Sequence, residues 1–570
     1  MEKVYIVTLK NRDDLEDFYA EMSSKGFRLH MKRPISRNTN YYMTKEQADE
    51  LKKDSRVLDV ELSDNIIAIP TAIYNNTSYN KNGFFWKNDT ITPVTFPSAT
   101  DFQWGHIHAG SASQIGKGSF GTRSLGGSIE RKNASVDVFN NGKHVDVVIV
   151  DEPMAYDSEE WYSPSTNTSR FVQYQWFNEL NSFVTNIDDD GVTPPTGNVT
   201  YKQTSALSDF HGQHVGGTVA GQHYGWAPEA NIYSFPFLGS FASGQSISGY
   251  LVYDYLRAFH LHKAVNPVTG RRNPTITNHS YGGIFYFNPE QEVLSFSKLS
   301  SVFYRGTQYN SGNPGPSGWT QAGVETDFGV RFLSDYPNYV TALVEDVKDA
   351  VEDGVIFIGS AGNDNLLIAE PNTSDGTTDW HNTISYEYET GDIRTRHYNR
   401  GAWPTSPDSG AIIVGALDYL HFFPRASFSM FGPGVDIFAP GRNIISCYGN
   451  TGTNDTKYSA GSANYYGVAS GTSMAAPQVS GVIATLATAK PRFTNSDARG
   501  YIQRHSKDND MTFDVQTGTF NDVTCQLGSP NKYLISKNPR PTSGMIEDVK
   551  GERKTSGMTF PRRATLNYVA

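Results

Sequence analysis

The 570-residue sequence predicts a three-layer α/β domain with a mostly parallel sheet, preceded by a small α+β domain. Consecutive apolar, largely β-branched residues at Val145 to Val150, Val355 to Ile358 and Ala411 to Gly415 read as strands buried on both faces, the condition of a parallel sheet covered by helices. Helical spacing supplies the covering layers, in Val340, Leu343, Val344, Val347 and Val351 and again in Val479, Val482, Ile483 and Leu486. The first 62 residues follow another order: strand, helix, strand, strand, helix, strand.

Val4 to Leu9 reads as the first of these strands. Leu15, Phe18, Tyr19 and Met22 then mark one face of a helix that Gly26 closes, and Thr44-Lys45-Glu46-Gln47 opens a second helix with a capping box. Val57 to Leu62 returns as a strand. This order fits any ferredoxin-like module and is assigned to residues 1–66. Residues 67–100, rich in Asn, Thr and Pro and including Asn75-Asn76-Thr77-Ser78, are expected to be a linker.

Composition narrows the function classes. With 38% hydrophobic and 13% aromatic residues the chain is not disordered, and a net charge of −11 without a dense Lys/Arg block argues against a nucleic-acid surface. Cys447 and Cys525 alone make neither a disulfide framework nor a cysteine zinc site. The apolar run near Met1 is too short for a signal-peptide core, and no later segment is long enough to span a bilayer. The expectation is therefore no membrane partner, and an intracellular or virion-associated place in preference to classical secretion.

Chemistry concentrates at four points. Gly471-Thr472-Ser473-Met474-Ala475-Ala476-Pro477 delivers Ser473 to the first turn of a helix expected from about Ser473 to Ala489, where the unpaired amides and the dipole favour negative charge. A serine there also suits a helix cap. A nucleophilic serine needs a base, and the base needs an orienting group. His211, within Asp209-Phe210-His211-Gly212-Gln213-His214-Val215, supplies the base, and Asp151, at the carboxyl end of the strand from Val145, supplies the carboxylate. Asn363 follows the strand Val355 to Ile358 through Gly359-Ser360-Ala361-Gly362 and offers an amide to a developing oxyanion.

In the order Asp, His, Ser these motifs resemble the subtilisin-like serine peptidases, the subtilase family. Gly471 to Pro477 is similar to the family's nucleophile signature and His211 to Val215 to its histidine signature, with His214 as a packing residue. The aspartate motif departs from the pattern: the family usually has Ser or Thr and then Gly after the acid, and here Glu152-Pro153 follow, so Asp157 and Asp209 stand as alternative carboxylates.

The resemblance implies a serine endopeptidase acting on polypeptides without a required cofactor, with Asn363 in the oxyanion hole. It also implies substrate-binding segments at Ser280-Tyr281-Gly282, at Ser360-Ala361-Gly362, and at Ser243-Gly244-Gln245, the last as an edge strand on which an extended peptide adds. Tyr5-Ile6-Val7 and Val57 to Glu61 resemble parts of subtilisin propeptides, so residues 1–66 are expected to be an intramolecular chaperone and inhibitor, autoprocessed within 67–100. Gln103-Trp104-Gly105-His106-Ile107 resembles the start of the mature domain, assigned to 101–506; residues 507–570, polar and Pro/Gly-punctuated, form an extension in which no chemistry is recognised.

Three stretches exceed the family's spacing: the sixty positions between Asp151 and His211, and parts of Phe285 to Tyr336 and Leu366 to Ser409. The acidic Asn186-Ile187-Asp188-Asp189-Asp190-Gly191 offers oxygen ligands for a structural calcium but lacks a full metal-loop spacing, which favours a solvated turn. A second class of function, a virion or surface structural or binding protein keeping a protease-like scaffold, draws on these insertions and on the altered aspartate motif. The intact Ser, His and Asn motifs argue against it.

Overall fold

A computed structural model describes residues 2–63, 67–70, 135–138, 141–184 and 195–508, the last with breaks at 209, 223, 291, 373–375, 419–424, 450–456 and 462–463; short pieces follow as far as residue 567. The acidic run at 186–191, Asp209, the segment from Gln103 to Ile107 and most of the expected linker lie outside the described residues.

The N-terminal domain has the predicted order, β1 (Lys3–Leu9), α1 (Leu15–Ser24), β2 (Arg28–Met31), β3 (Asn38–Met43), α2 (Lys45–Leu51) and β4 (Val57–Leu62). Its antiparallel sheet runs β2-β3-β1-β4, the ferredoxin-like arrangement. Leu15, Phe18, Tyr19 and Met22 all face inward and join Val7, Tyr41, Val57 and Val60 in a core separate from the main one. The capping box at α2 is complete: Thr44 Oγ1 accepts the Gln47 N–H at 3.3 Å, and Gln47 Oε1 accepts the Thr44 N–H at 2.7 Å.

The expected linker begins differently. β5 (Ile67–Pro70) is a strand, held antiparallel to a distant strand of the main domain, and four residues ending in Pro gave no sign of it in the sequence.

The main domain is built on a nine-stranded sheet. Its centre is β6 (Asp146–Asp151), β7 (Thr275–His279) and β9 (Ile356–Ser360), in parallel. Beyond β9 come the parallel strands Ile412–Leu417, Ile437–Pro440 and Lys532–Tyr533, and beyond β6 come Asn231–Pro236 and Phe171–Val172. Every residue of β6, β7 and β9 is buried, as the apolar runs required. Helices α3 (His211–Ala220) and α5 (Thr472–Ala489) pack on each other and on the sheet; the helix Val252–His262 and α4 (Thr341–Glu352) pair in another layer.

Lys507–Asp508 closes the sheet antiparallel to Lys532–Tyr533, so the domain does not end at residue 506. Two-residue strands carry no readable periodicity, which is why the extension looked featureless. Within the two later insertions, Leu299–Tyr304, Thr307–Tyr309, Thr383–Glu389 and Asp392–His397 form a four-stranded antiparallel sheet of their own.

The N-terminal domain rests its sheet on the layer of α4 and Val252–His262. Arg33, fully buried, donates from Nε and Nη2 to Asp254 at 2.8 and 3.1 Å and from Nη2 to Asp346 at 2.6 Å, and Ser36 Oγ donates to the other oxygen of Asp346 at 2.6 Å. Glu61 accepts the first amides of α4, from Thr341 at 3.0 Å and Ala342 at 2.9 Å, so a side chain of one domain caps a helix of the other.

Candidate active site

β6 ends on Asp151, and α3 begins on His211, so a strand terminus and a helix start bring these two side chains together. Asp151 Oδ1 and His211 Nδ1 lie 2.6 Å apart, both residues without solvent exposure. Burial alone disfavours an imidazolium, but the Asp151 carboxylate outweighs it, so the His211 pKa is raised above its ordinary value. The alternative acid Asp157 is engaged elsewhere, accepting from Thr204 N at 2.7 Å and Thr204 Oγ1 at 2.6 Å. His214 lies one turn further along α3, with Nε2 2.9 Å from the Ile444 carbonyl; burial pushes its pKa down to about 3, and it remains a neutral packing residue.

Ser473 is the second residue of α5. Gly471 before it has φ of 149°, a conformation open to glycine, and this lets the chain turn sharply into the helix. Pro477 has no N–H to offer the carbonyl four residues earlier, which is that of Ser473. Ser280 Oγ donates to that carbonyl instead, at 2.9 Å. In return Ser473 Oγ donates to the Ser280 carbonyl at 2.8 Å. Nε2 of His211 has no hydrogen-bond partner among the described residues, so the His–Ser bond is not made in this arrangement.

Asn363 sits just past β9. Its Oδ1 accepts the Thr472 N–H at 2.9 Å and the Thr472 hydroxyl at 3.0 Å, which fixes the carboxamide through its oxygen. Gly362, at φ 109°, brings the backbone past Met430, whose Sδ would lie 2.3 Å from a Cβ there. Gly362 N–H reaches Thr472 Oγ1 at 3.1 Å, so Thr472 ties the Ser360-Ala361-Gly362 segment to the start of α5.

Ser280 leads into β8 (Tyr281–Tyr286). β5 lies along it antiparallel, with Pro70 opposite Tyr281, Ile69 opposite Gly282 and Ala68 opposite Gly283. At Gly283 a Cβ would lie 1.9 Å from Nε1 of Trp403, so the absent side chain is what lets the indole close on the strand. Tyr281 is buried against Phe237 and Trp403.

The predicted edge strand at Ser243-Gly244-Gln245 is instead a tight turn. Gly244 has φ of 88°, the Phe241 N–H bonds the Gln245 carbonyl at 2.9 Å, and Ser243 and Gln245 hold the 196–200 segment in place of a strand partner. The insertion between Asp151 and His211 supplies that 196–200 segment.

Among the described residues, no group of three or more His, Cys, Asp or Glu side chains is arranged to hold a metal ion, and no helix is long and apolar enough to cross a membrane.

The profile of the subtilase family, peptidase S8, matches residues 142–520. A thermostable alkaline protease of Halalkalibacterium halodurans is 36% identical over 125 residues, 22% of this chain and 26% of that protein. A subtilisin-like protease of Coccidioides posadasii is 26% identical over 301 residues, 53% of this chain and 40% of its own length. A subtilisin of Bacillus pumilus is 28% identical over 231 residues, 40% of this chain and 67% of the relative. The chain thus spans between 26% and 40% of the first two relatives. Among solved structures, fervidolysin from Fervidobacterium pennivorans aligns over 95% of this chain and 62% of its own, at 19% identity and a TM-score of 0.49.

Proposed function

The chain belongs to the subtilase family of subtilisin-like serine peptidases, and on that premise we propose that it is an endopeptidase whose Ser473 attacks the peptide carbonyl. The observation that carries this reading is the 2.6 Å contact of Asp151 with His211 at the start of a helix packed on the one that bears Ser473. Ser473 turns from the Ser280 carbonyl toward Nε2 of His211, which takes its proton and passes it to the leaving amine. Asp151 holds the imidazole by Nδ1 and stabilises the imidazolium. The tetrahedral oxyanion is held by Nδ2 of Asn363 and the Ser473 backbone N–H, both aimed at charge that appears only in the transition state. No cofactor takes part.

The N-terminal domain acts as the inhibitor of this site, and the protein processes itself. The position of β5 supports that reading: it runs along β8 toward Ser280 as an added strand, the way an extended peptide substrate binds. The cut then falls shortly after Pro70, inside the window expected from the sequence. A fluorophosphonate probe tests the proposal. It should label the processed parent and spare Ser473→Ala, which should stay folded, hydrolyse nothing and keep its original N-terminus. A parent that is folded and processed yet unlabelled would refute it.

A further inference from the structure

Glu152 stands where the family usually carries Ser or Thr, and nothing in the reaction as derived uses it. In the structure its Oε2 accepts the backbone N–H of His211 at 2.9 Å, at the first residue of α3. Its own N–H donates to Asp151 Oδ1 at 2.7 Å, the oxygen that also meets His211 Nδ1. A Cβ on Gly212 would lie 2.2 Å from the Glu152 carbonyl oxygen, so the helix start is pressed directly on this residue. Asp151 Oδ2, in contrast, has no partner among the described residues.

We propose that Glu152 is a positioning residue for His211: its carboxylate fixes the first turn of α3 through the His211 amide and places a second negative charge behind the imidazole. The proposal rests on the reading of His211 as the general base. Both effects act through His211, and neither needs contact with substrate. An acceptor at the first amide of a helix satisfies a donor that has no intrahelical partner, and a negative charge is favoured there by the helix dipole.

The charged and titratable groups around His211 all leave this effect uncancelled. Asp151 and Glu152 face it from the end of β6, and both favour the imidazolium against the cost of burial. On α3, His214 is neutral. The strand Ile444–Tyr448, packed on α3, brings Cys447, whose thiol burial pushes far up, and Tyr448. From β8 comes Tyr281, whose hydroxyl burial likewise pushes up, and from the 159–161 turn come Glu159 and Glu160, both of which accept from Tyr466 Oη. α5 contributes Ser473 and no charge.

A base with a raised pKa becomes competent only as pH rises through that value, so removing the second charge must move the acid limb of activity to lower pH. Glu152→Gln keeps an oxygen for the His211 amide and deletes the charge; Glu152→Ala deletes both. The low-field Nδ1 proton of His211, assigned by its loss in His211→Gln, is titrated in full-length chains carrying Ser473→Ala, and kcat/KM against a chromogenic peptide is followed with pH in the active chains. Both variants should titrate at lower pH than the parent, and the acid limb of Glu152→Gln should shift with its titration, KM unchanged. Glu152→Ala should also lose kcat on the order of ten- to a hundredfold, as a slightly misplaced base does, and Glu152→Gln should recover it. An unchanged titration in Glu152→Gln overturns the proposal, and that variant alone decides if Glu152→Ala fails to fold. A parent that hydrolyses nothing while the titration still shifts would sink the peptidase reading and leave Glu152 as the group that sets the imidazole.

Discussion

Where β6 meets α3, a carboxylate and an imidazole share one 2.6 Å bond, and Asp151 Oδ2 and His211 Nε2 are left without partners among the described residues. Under the N-terminal domain, Arg33 meets Asp254 and Asp346, and all four carboxylate oxygens are bonded. Both clusters are fully buried. An unpaired buried polar atom costs roughly 1–3 kcal/mol; the first cluster leaves one on each partner, whereas the second fills every carboxylate oxygen and leaves Nη1 of Arg33 unpaired among the described residues. The difference follows from task. A general base, the role proposed for His211, must keep Nε2 open to the proton it will take, whereas a docking contact is strongest with its carboxylates filled.

The largest effect should come from the open cluster. Asp151→Asn should cut kcat on the order of 10⁴-fold at neutral pH by stabilising the wrong imidazole tautomer, whereas Asp157→Asn, removing a carboxylate already bound to Thr204, should leave the rate near the parent's. Steady-state kinetics on the two variants would break the comparison if Asp157→Asn were the worse. Next, Asn363→Ala should lower kcat by roughly 10²–10³-fold with little change in KM, a magnitude that comes from subtilisin itself. A change confined to KM would move Asn363 from transition-state stabilisation to ground-state binding.

In the filled cluster, Arg33→Met leaves Asp254 and Asp346 buried without their cation. That should destabilise docking by about 3–5 kcal/mol, read as a lower denaturant midpoint for release of residues 2–63. An unchanged midpoint would mean the pair is replaceable by packing. The two carboxylates share one guanidinium: burial, with the Asp346 charge adding to it, raises the Asp254 carboxyl against the pull of Arg33.

The smallest effect sharpens the same contrast through pH. Burial, with Asp59 adding to it, pushes Glu61 up to about 7 against the pull of the two α4 amides. A carboxyl whose pKa is raised on docking favours the docked state below its ordinary range and loses that contribution as pH rises through about 7. The release midpoint should therefore fall between about pH 5 and about pH 8 in the parent, and fall less in Glu61→Gln.

Much of this was legible beforehand. The spacing of Leu15, Phe18, Tyr19 and Met22 named the inward face of α1, and the apolar runs placed β6 and β9, so Asp151 and Asn363 could be put at strand ends before any coordinate was known. The helix bearing Ser473 was expected to begin there and begins one residue earlier. Illegible were β5, whose partner lies more than two hundred residues away, the turn at Ser243 to Gln245, and the role of Arg33, whose two carboxylates are 221 and 313 positions distant.

The sequence by itself determined which residues can carry chemistry and which stretches are helix or strand, because capping, periodicity and side-chain type act within a few neighbouring residues. Tertiary structure alone decided which buried charge meets which, that Ile67 to Pro70 lies as a strand beside β8, and that Glu152 holds the amide of His211. Those outcomes depend on which distant segments are brought into contact, and a carboxylate or a four-residue run is compatible with many partners until the packing of the sheet and its helices leaves one.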